Sequence, residues 1–214
     1  TAVASHDHRE RTSDDDPIAA HSALHRIVAA MATDRNPSRD ELLAARDRAI
    51  PDIVAADLDI LFCGINPGLW SGATGRHFAN PGNRFWKTLH AAGLTNRVLA
   101  PWDTDELLAA GVGITNLVNR TTATAAELTP DELRGGAQRL EALAIEYQPR
   151  IVAVVGVSAY RTAFGRPKAV VGPQSERLAN SELWVLPNPS GLNAHYQLPE
   201  LAAAYRPLAD AINR

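Results

Sequence analysis

The sequence predicts an α/β fold, a three-layer αβα sandwich built on a central four-stranded parallel sheet. Two patterns carry that expectation. Four short apolar runs, bounded by glycine or proline, alternate with segments whose apolar residues recur at helical spacing. Strands alternating with helices need crossover connections, which make the strands parallel and put helices on both faces. The composition agrees, since 214 residues, 45% hydrophobic and 21% charged, describe one ordinary globular domain with an appendage. A fibre, a disulfide scaffold and a wholly disordered chain are excluded.

Residues 1–16 end in three consecutive aspartates and offer no apolar face, so they are expected to be a mobile segment. Residues 17–50 read as a helical extension. Ala20, Leu24, Ile27, Val28 and Met31 share one helix face, and Ser38 with Glu41 forms a capping box for a second helix running to residue 50. The main domain, 51–214, opens with a buried strand at 57–64. A helix follows at 84–93, with Phe85, Leu89 and Ala92 on one side and Gly93 as its stop. A short strand at 113–118 precedes a helix capped by Thr129 with Pro130 in its first turn, continuing through Leu140, Leu143, Ala144 and Tyr147. The run at 150–156 is the clearest strand, 158–164 a short helix, 182–187 the fourth strand and 198–213 the last helix.

The single cysteine, Cys63, permits no internal disulfide and no cysteine metal cluster, which suits a reducing cytoplasm. No apolar run approaches the ~20 residues that span a bilayer, and the first residues lack the layout of a secretory signal. No membrane partner is expected. A net charge of −3 supplies no global attraction to nucleic acid, so such a partner must be met by a local patch or by backbone donors.

In open parallel sheets the binding crevice lies outside the carboxyl ends of the strands. Three polar segments fall there: 64–68 after the first strand, 116–120 after the second and 188–193 after the fourth. Gly-Ile-Asn-Pro-Gly at 64–68, Gly-Asn-Arg-Phe-Trp-Lys at 82–87 and Asn-Pro-Ser-Gly-Leu at 188–192 stand in an order and spacing that resembles the uracil-DNA glycosylase superfamily, in its mismatch-specific uracil and thymine branch. The resemblance covers about residues 57–212 and leaves the N-terminal extension outside. It implies the uracil-DNA glycosylase fold and a monofunctional hydrolase that removes uracil opposite guanine and leaves an abasic site, with thymine and ethenocytosine as wider substrates. It implies double-stranded DNA with a G:U or G:T mismatch as partner, no cofactor, a monomer, and a place at the nucleoid of a bacterial cytoplasm. Two other readings of the same cleft stay open: a noncatalytic DNA-binding protein and a small-molecule binder.

By resemblance, Asn66 is the catalytic residue that positions water. A carboxamide can orient water through its oxygen but cannot take up a proton as a carboxylate does, so catalysis should be slow and lean on bond dissociation. Asparagine before proline is also a plain turn-maker. The resemblance assigns a base pocket to Ile65, through its backbone, with Gly68, Ser71, Phe78 and Asn188, and Asn116 is a further pocket candidate by its place at a strand end. Phe78 would stack on the extruded base and Asn188 would meet a pyrimidine carbonyl; a core phenylalanine and an Asn-Pro turn are the plain alternatives. Asn116 and Asn119 are expected to face the cleft from the second strand, although asparagines at strand ends often satisfy local backbone. Gly191, Leu192 and Asn193 resemble the wedge that enters the duplex, Leu192 filling the vacated stack while flanking backbone meets the widowed guanine. Arg84, Lys87, Ser190 and Arg120 are candidate phosphate contacts. Trp70, Asn80 and Ala194 depart from the branch, which has smaller, histidine and often arginine residues there.

No metal site is expected. The seven histidines read mostly as surface residues, and His21 and His25, one helical turn apart, lack a third ligand. Neither a dinucleotide nor a nucleoside-triphosphate loop occurs, and Cys63 reads as packing.

Overall fold

The computed structural model describes residues 36–213, and the expectations for 1–16 and for the helix over 19–31 lie outside them. A parallel sheet covered on both faces demands apolar residues at successive strand positions, and the chain supplies them. Strands β1 (Ile60–Gly64), β2 (Val112–Asn116) and β3 (Ile151–Val155) are buried at every position. With β4 (Gly172–Leu178) and β5 (Ser181–Leu186) they form one sheet in the order β2-β1-β3-β5-β4. The first four strands in that order run parallel, and β4 returns antiparallel on β5.

Side chains alternate across the sheet. Ile60 and Phe62 of β1 enter one core with α3 (Phe85–Ala91), α4 (Thr104–Ala109) and α7 (Leu198–Ile212), whereas Leu61 and Cys63 enter the other with α5 (Pro130–Tyr147) and α6 (Val157–Ala163). In the first core Phe62 meets Phe85 edge-on at 5.3 Å between ring centres and lies parallel to Tyr205 at 5.9 Å. The buried Tyr205 hydroxyl donates to the Pro187 carbonyl at 3.0 Å, which fixes the chain just beyond β5. The three layers are those the sequence predicts.

The sheet has a fifth strand that the sequence reading lacks. Strand β4 is polar, opens with Gly172 and Pro173, carries a register shift between Pro173 and Arg177, and has only Leu178 fully buried. An edge strand needs no apolar run, so hydrophobic patterning cannot reveal it. Helix α2 (Leu69–Thr74), α4 and a 3-10 turn at Ala125–Glu127 are further additions, each too short for a full period of pattern.

Helix α1 (Arg39–Ala44) has the expected Ser38–Glu41 capping box but ends well before residue 50. Asp47 adopts a left-handed φ of 63°, its amide donates to the Thr121 carbonyl, and Ile53 then pairs with Ile114 of β2. The compact unit holding the sheet accordingly begins at Pro37, so residues 37–50 belong with the domain whose start the sequence places at 51.

Helix α5 contains two adjacent glycines with opposite surroundings. A Cβ on buried Gly136 would lie 2.5 Å from the Leu117 carbonyl oxygen, whereas one on exposed Gly135 would meet nothing within 4 Å. Gly135→Ala should therefore stabilise the protein by up to about 1 kcal/mol through helix propensity, and Gly136→Ala should destabilise it by about 1–3 kcal/mol through overpacking. Urea unfolding of the two variants checks the sign of each.

Candidate active site

The carboxyl ends of β1, β2, β3 and β5 open into one cleft of about 1190 Å³, to which they contribute Gly64, Asn116, Val155 and, just after β5, Asn188. Its lining includes thirteen of the fifteen residues to which the sequence assigns a site role, Ile65, Asn66, Gly68, Ser71, Phe78, Arg84, Lys87, Asn116, Asn188, Ser190, Gly191, Leu192 and Asn193, and lacks Asn119 and Arg120. Segments more than a hundred residues apart in sequence thus share one wall.

The best-defined group is the Asn66 carboxamide. Its Nδ2 donates to the Arg120 carbonyl at 2.9 Å, to Thr122 Oγ1 at 2.7 Å and to its neighbour's carbonyl, Pro67 O, at 3.2 Å. Thr122 Oγ1 gives its own proton to the Thr124 carbonyl at 2.8 Å and can only accept from Asn66. Three acceptors around one end identify that end as nitrogen and leave Oδ1 as the free acceptor. The two loops are locked together by the Thr122 amide donating to the Pro67 carbonyl at 3.1 Å. Thr122 escapes the sequence reading, because threonine after a strand has no pattern of its own. Arg120 is held by Glu132 at 2.8 Å and Asp47 at 2.9 Å, and the hydrogen bond from Arg120 is the main reason the Glu132 carboxyl titrates down at about 2. Its guanidinium is engaged inside the protein instead of being offered to a phosphate.

Around Asn66, Gly68 caps α2, Ser71 is buried with Oγ accepting from the Ala79 amide at 3.4 Å, and the Ile65 carbonyl accepts from the Val118 amide at 3.0 Å. Phe78 stacks on Phe85 at 3.9 Å between ring centres yet remains partly exposed along the cleft. Its φ is 51°, a conformation that a bulky residue adopts only where its surroundings impose it. Gly64 is required by close approach, since a Cβ there would fall 2.4 Å from Asn116 Oδ1.

Asn116 is buried on the cleft wall, and its backbone carbonyl accepts from Arg139 at 2.9 Å. Arg139 also forms an ion pair with Asp52, and Thr115 Oγ1 donates to Asp52 at 2.7 Å, so the end of β2 rests on a polar network. Asn119 behaves differently from its expectation. It turns from the cleft to pair with both backbone groups of Ile50, at 3.2 and 2.8 Å, a local satisfaction of backbone that competes with any ligand. A second correction concerns His77, which is only 2% exposed and not a surface residue. Its position inside a polar loop concealed the burial, which lowers the pKa of its ring below the ordinary 6.5. Burial also raises the Cys63 thiol far above its usual range and keeps it an inert packing group.

The fourth-strand segment folds into a tight loop. Asn188 Oδ1 accepts from the Ser190 amide at 3.0 Å, which leaves its Nδ2 as the end available to a ligand. Asn193 donates from Nδ2 to the Asn188 carbonyl at 2.9 Å, and Ser190 Oγ accepts from the Leu192 amide at 3.3 Å. At the tip, Leu192 is 91% exposed, more than any other large apolar residue among those described. The loop seats against residues 80–83, where a Cβ on Gly191 would come within 2.5 Å of the Gly82 carbonyl. Arg84 grips it from the side. Its guanidinium donates to the carbonyls of Ser190 at 2.9 Å, Asn193 at 3.1 Å and Tyr196, and to Gln197 Oε1 at 3.3 Å. Arg84 is thus a clamp on the loop, both its terminal nitrogens already engaged, while Lys87 stands exposed at the rim.

A family model described as the uracil DNA glycosylase superfamily matches residues 51–210. The chain belongs to that superfamily. Among solved structures it is similar to that of a protein from Methanosarcina acetivorans provisionally assigned as a uracil DNA glycosylase, with 22% identity and a TM-score of 0.50. The match covers 76% of this chain and 98% of that one. At that identity the likeness bears on the fold, and the mostly parallel sheet flanked by helices is the superfamily's architecture.

The clamp yields a prediction. Arg84→Ala should leave the sheet intact, cost about 1–3 kcal/mol for hydrogen bonds lost from a charged donor, and speed amide exchange in 190–193. Hydrogen exchange resolved by residue checks whether the loss is confined to that loop.

Proposed function

We propose that the protein is a monofunctional DNA glycosylase of the mismatch-specific branch, which hydrolyses the N-glycosidic bond of uracil opposite guanine. The observation that carries this reading is the Asn66 carboxamide, held by its nitrogen with its oxygen left as a free acceptor in the cleft. Superfamily membership supports the glycosylase class. The branch rests on the Gly-Ile-Asn-Pro-Gly and Asn-Pro-Ser-Gly-Leu motifs and on the exposed Leu192 loop.

The reaction begins with a nucleotide extruded from the duplex, because its glycosidic bond is out of reach in the stack. Leu192 fills the gap, and the backbone at the loop tip meets the unpaired guanine. The base lies against Phe78 while Asn188 Nδ2 donates to a pyrimidine carbonyl. As the bond from C1′ to N1 lengthens, the electron pair leaves with the base, and the sugar becomes oxocarbenium-like. Donors aimed at the departing base stabilise its negative charge. Asn66 Oδ1 accepts a hydrogen bond from water and holds its oxygen against C1′. The water oxygen bonds to C1′ and loses a proton to solvent, and the base takes a proton to leave as uracil. Asn66 supplies orientation and no proton transfer, so the barrier is lowered chiefly by dissociation.

Excision assays test this. A duplex with one G:U pair, incubated with the protein and then treated with alkali, should break at the uracil, and Asn66→Ala should slow single-turnover excision by about 10²-fold or more. A noncatalytic DNA binder would retain the duplex and show no break. Asn66→Asp should not rescue, because a carboxylate oxygen would replace the donor 2.9 Å from the Arg120 carbonyl, acceptor facing acceptor. Leu192→Ala should change folding stability by no more than about 0.5 kcal/mol yet weaken excision from duplex while sparing uracil in single strands. Wild-type turnover should show a burst, because a loop gripping guanine delays product release.

A further inference from the structure

The buried ring of His77 lines the cleft and has no part in the proposed mechanism. Its Nε2 lies 2.9 Å from the Pro51 carbonyl, which can only accept, so the proton of a neutral ring sits on Nε2. Nδ1 is then an acceptor, and Asn116 Nδ2 donates to it at 3.3 Å. This bond fixes the Asn116 amide. Its Oδ1 lies over Gly64, 2.4 Å from where a Cβ would stand, and the edge of the Phe78 ring is 3.4 Å from the same point. The carbonyl oxygen of Asn116 and the ring proposed to stack on the base therefore converge, with the glycine leaving room for both.

We infer that His77 is a positioning residue that sets which end of Asn116 faces the substrate: the neutral imidazole holds the amide so that Oδ1 accepts from an N–H of the extruded pyrimidine, such as N3–H of uracil, and protonation of His77 withdraws that acceptor. A protonated ring carries hydrogen on Nδ1 as well, which the Asn116 Nδ2 cannot accept. The amide must turn its oxygen to the ring and its nitrogen to the base, presenting a donor where uracil also has one. The inference rests on the glycosylase reading for the identity of the substrate, but the His77–Asn116 pair stands apart from it.

The charged groups facing His77 are Asp52, from the segment before β1, and Arg139, from α5, which are ion-paired with each other and act on the ring in opposite senses. The Pro51 carbonyl favours the protonated ring, β2 contributes the neutral Thr115 and Asn116, and the titratable residue of β1, Cys63, stays protonated. Burial outweighs these, so the ring is neutral at neutral pH and takes a proton only on acidification.

The test is single-turnover excision from a G:U duplex from about pH 8 down to about pH 4, because burial moves the ring's titration below the ordinary imidazole range, with circular dichroism at each pH to confirm folding. The wild type should lose rate on the acid side. His77→Leu, which removes the acceptor, should lower the neutral-pH rate about tenfold, the worth of one hydrogen bond. His77→Asn, whose Oδ1 replaces Nδ1 without titrating, should recover most of that loss and flatten the acid side of the profile. An acid limb unchanged in His77→Asn would overturn the inference. So would imidazole ¹⁵N resonances of the DNA-free wild type that place the neutral ring's proton on Nδ1, a measurement that needs neither variant to fold. A wild type that excises at no pH would overturn the glycosylase reading instead, and the ¹⁵N resonances would still decide the His77–Asn116 pair.

Discussion

The nitrogen of the Asn66 side chain is engaged before any substrate arrives. Thr122 and the Arg120 carbonyl accept from it, Thr122 is itself turned by the Thr124 carbonyl, and the loop beneath is bonded back to Pro67. A carboxamide free to flip would offer nitrogen or oxygen to the cleft about equally, and half of those orientations could not accept from water. Here one orientation remains. On the proposed reading this matters more than it would for a carboxylate, because a residue that moves no proton contributes only through the geometry it imposes.

The same device recurs across the cleft. Asn188 is held by its oxygen and presents nitrogen, and Asn116 is held by its nitrogen and presents oxygen. Each carboxamide is a two-ended group whose polarity is decided by a protein neighbour: the Ser190 amide in one case, His77 in the other. The sheet makes this possible. Strands β1, β2 and β3 are buried at every position and packed on both faces, so their ends are rigid and the polar residues at and beyond them have fixed places. The loop after β5 is the exception, projecting the exposed Leu192 into solvent, and Arg84 holds it through the Ser190 and Asn193 carbonyls.

Much of this was legible in the sequence, for reasons that can be named. Strands buried on both faces write themselves as apolar runs, which is why β1, β3 and β5 stand out, and the Ser38 and Thr129 caps mark helix starts by chemistry alone. Polar segments at the strand ends were gathered into one cleft by the topology of parallel sheets. What patterning could not reveal were features set by tertiary partners. Strand β4 is an edge with no apolar signature, and Arg84, an exposed cation by composition, is consumed by carbonyls over a hundred residues away. Asn119 and Asn116 sit three residues apart on the same segment, yet one bonds the Ile50 backbone and the other the cleft wall, a difference decided by partners distant in sequence. His77 gave no hint of burial because its neighbours, Arg76 and Asn80, read as a loop.

On the proposed reading, Asn66 Oδ1 holds water against the sugar of an extruded deoxyuridine. A crystal structure with duplex DNA carrying a non-hydrolysable 2′-fluoro deoxyuridine opposite guanine tests it most directly. The uracil ring should lie against Phe78, with one water bridging Asn66 Oδ1 and C1′ and the Asn66 nitrogen still on Thr122. A uracil left stacked in the duplex, or an Asn66 oxygen turned away from the deoxyribose with no water between them, would contradict it.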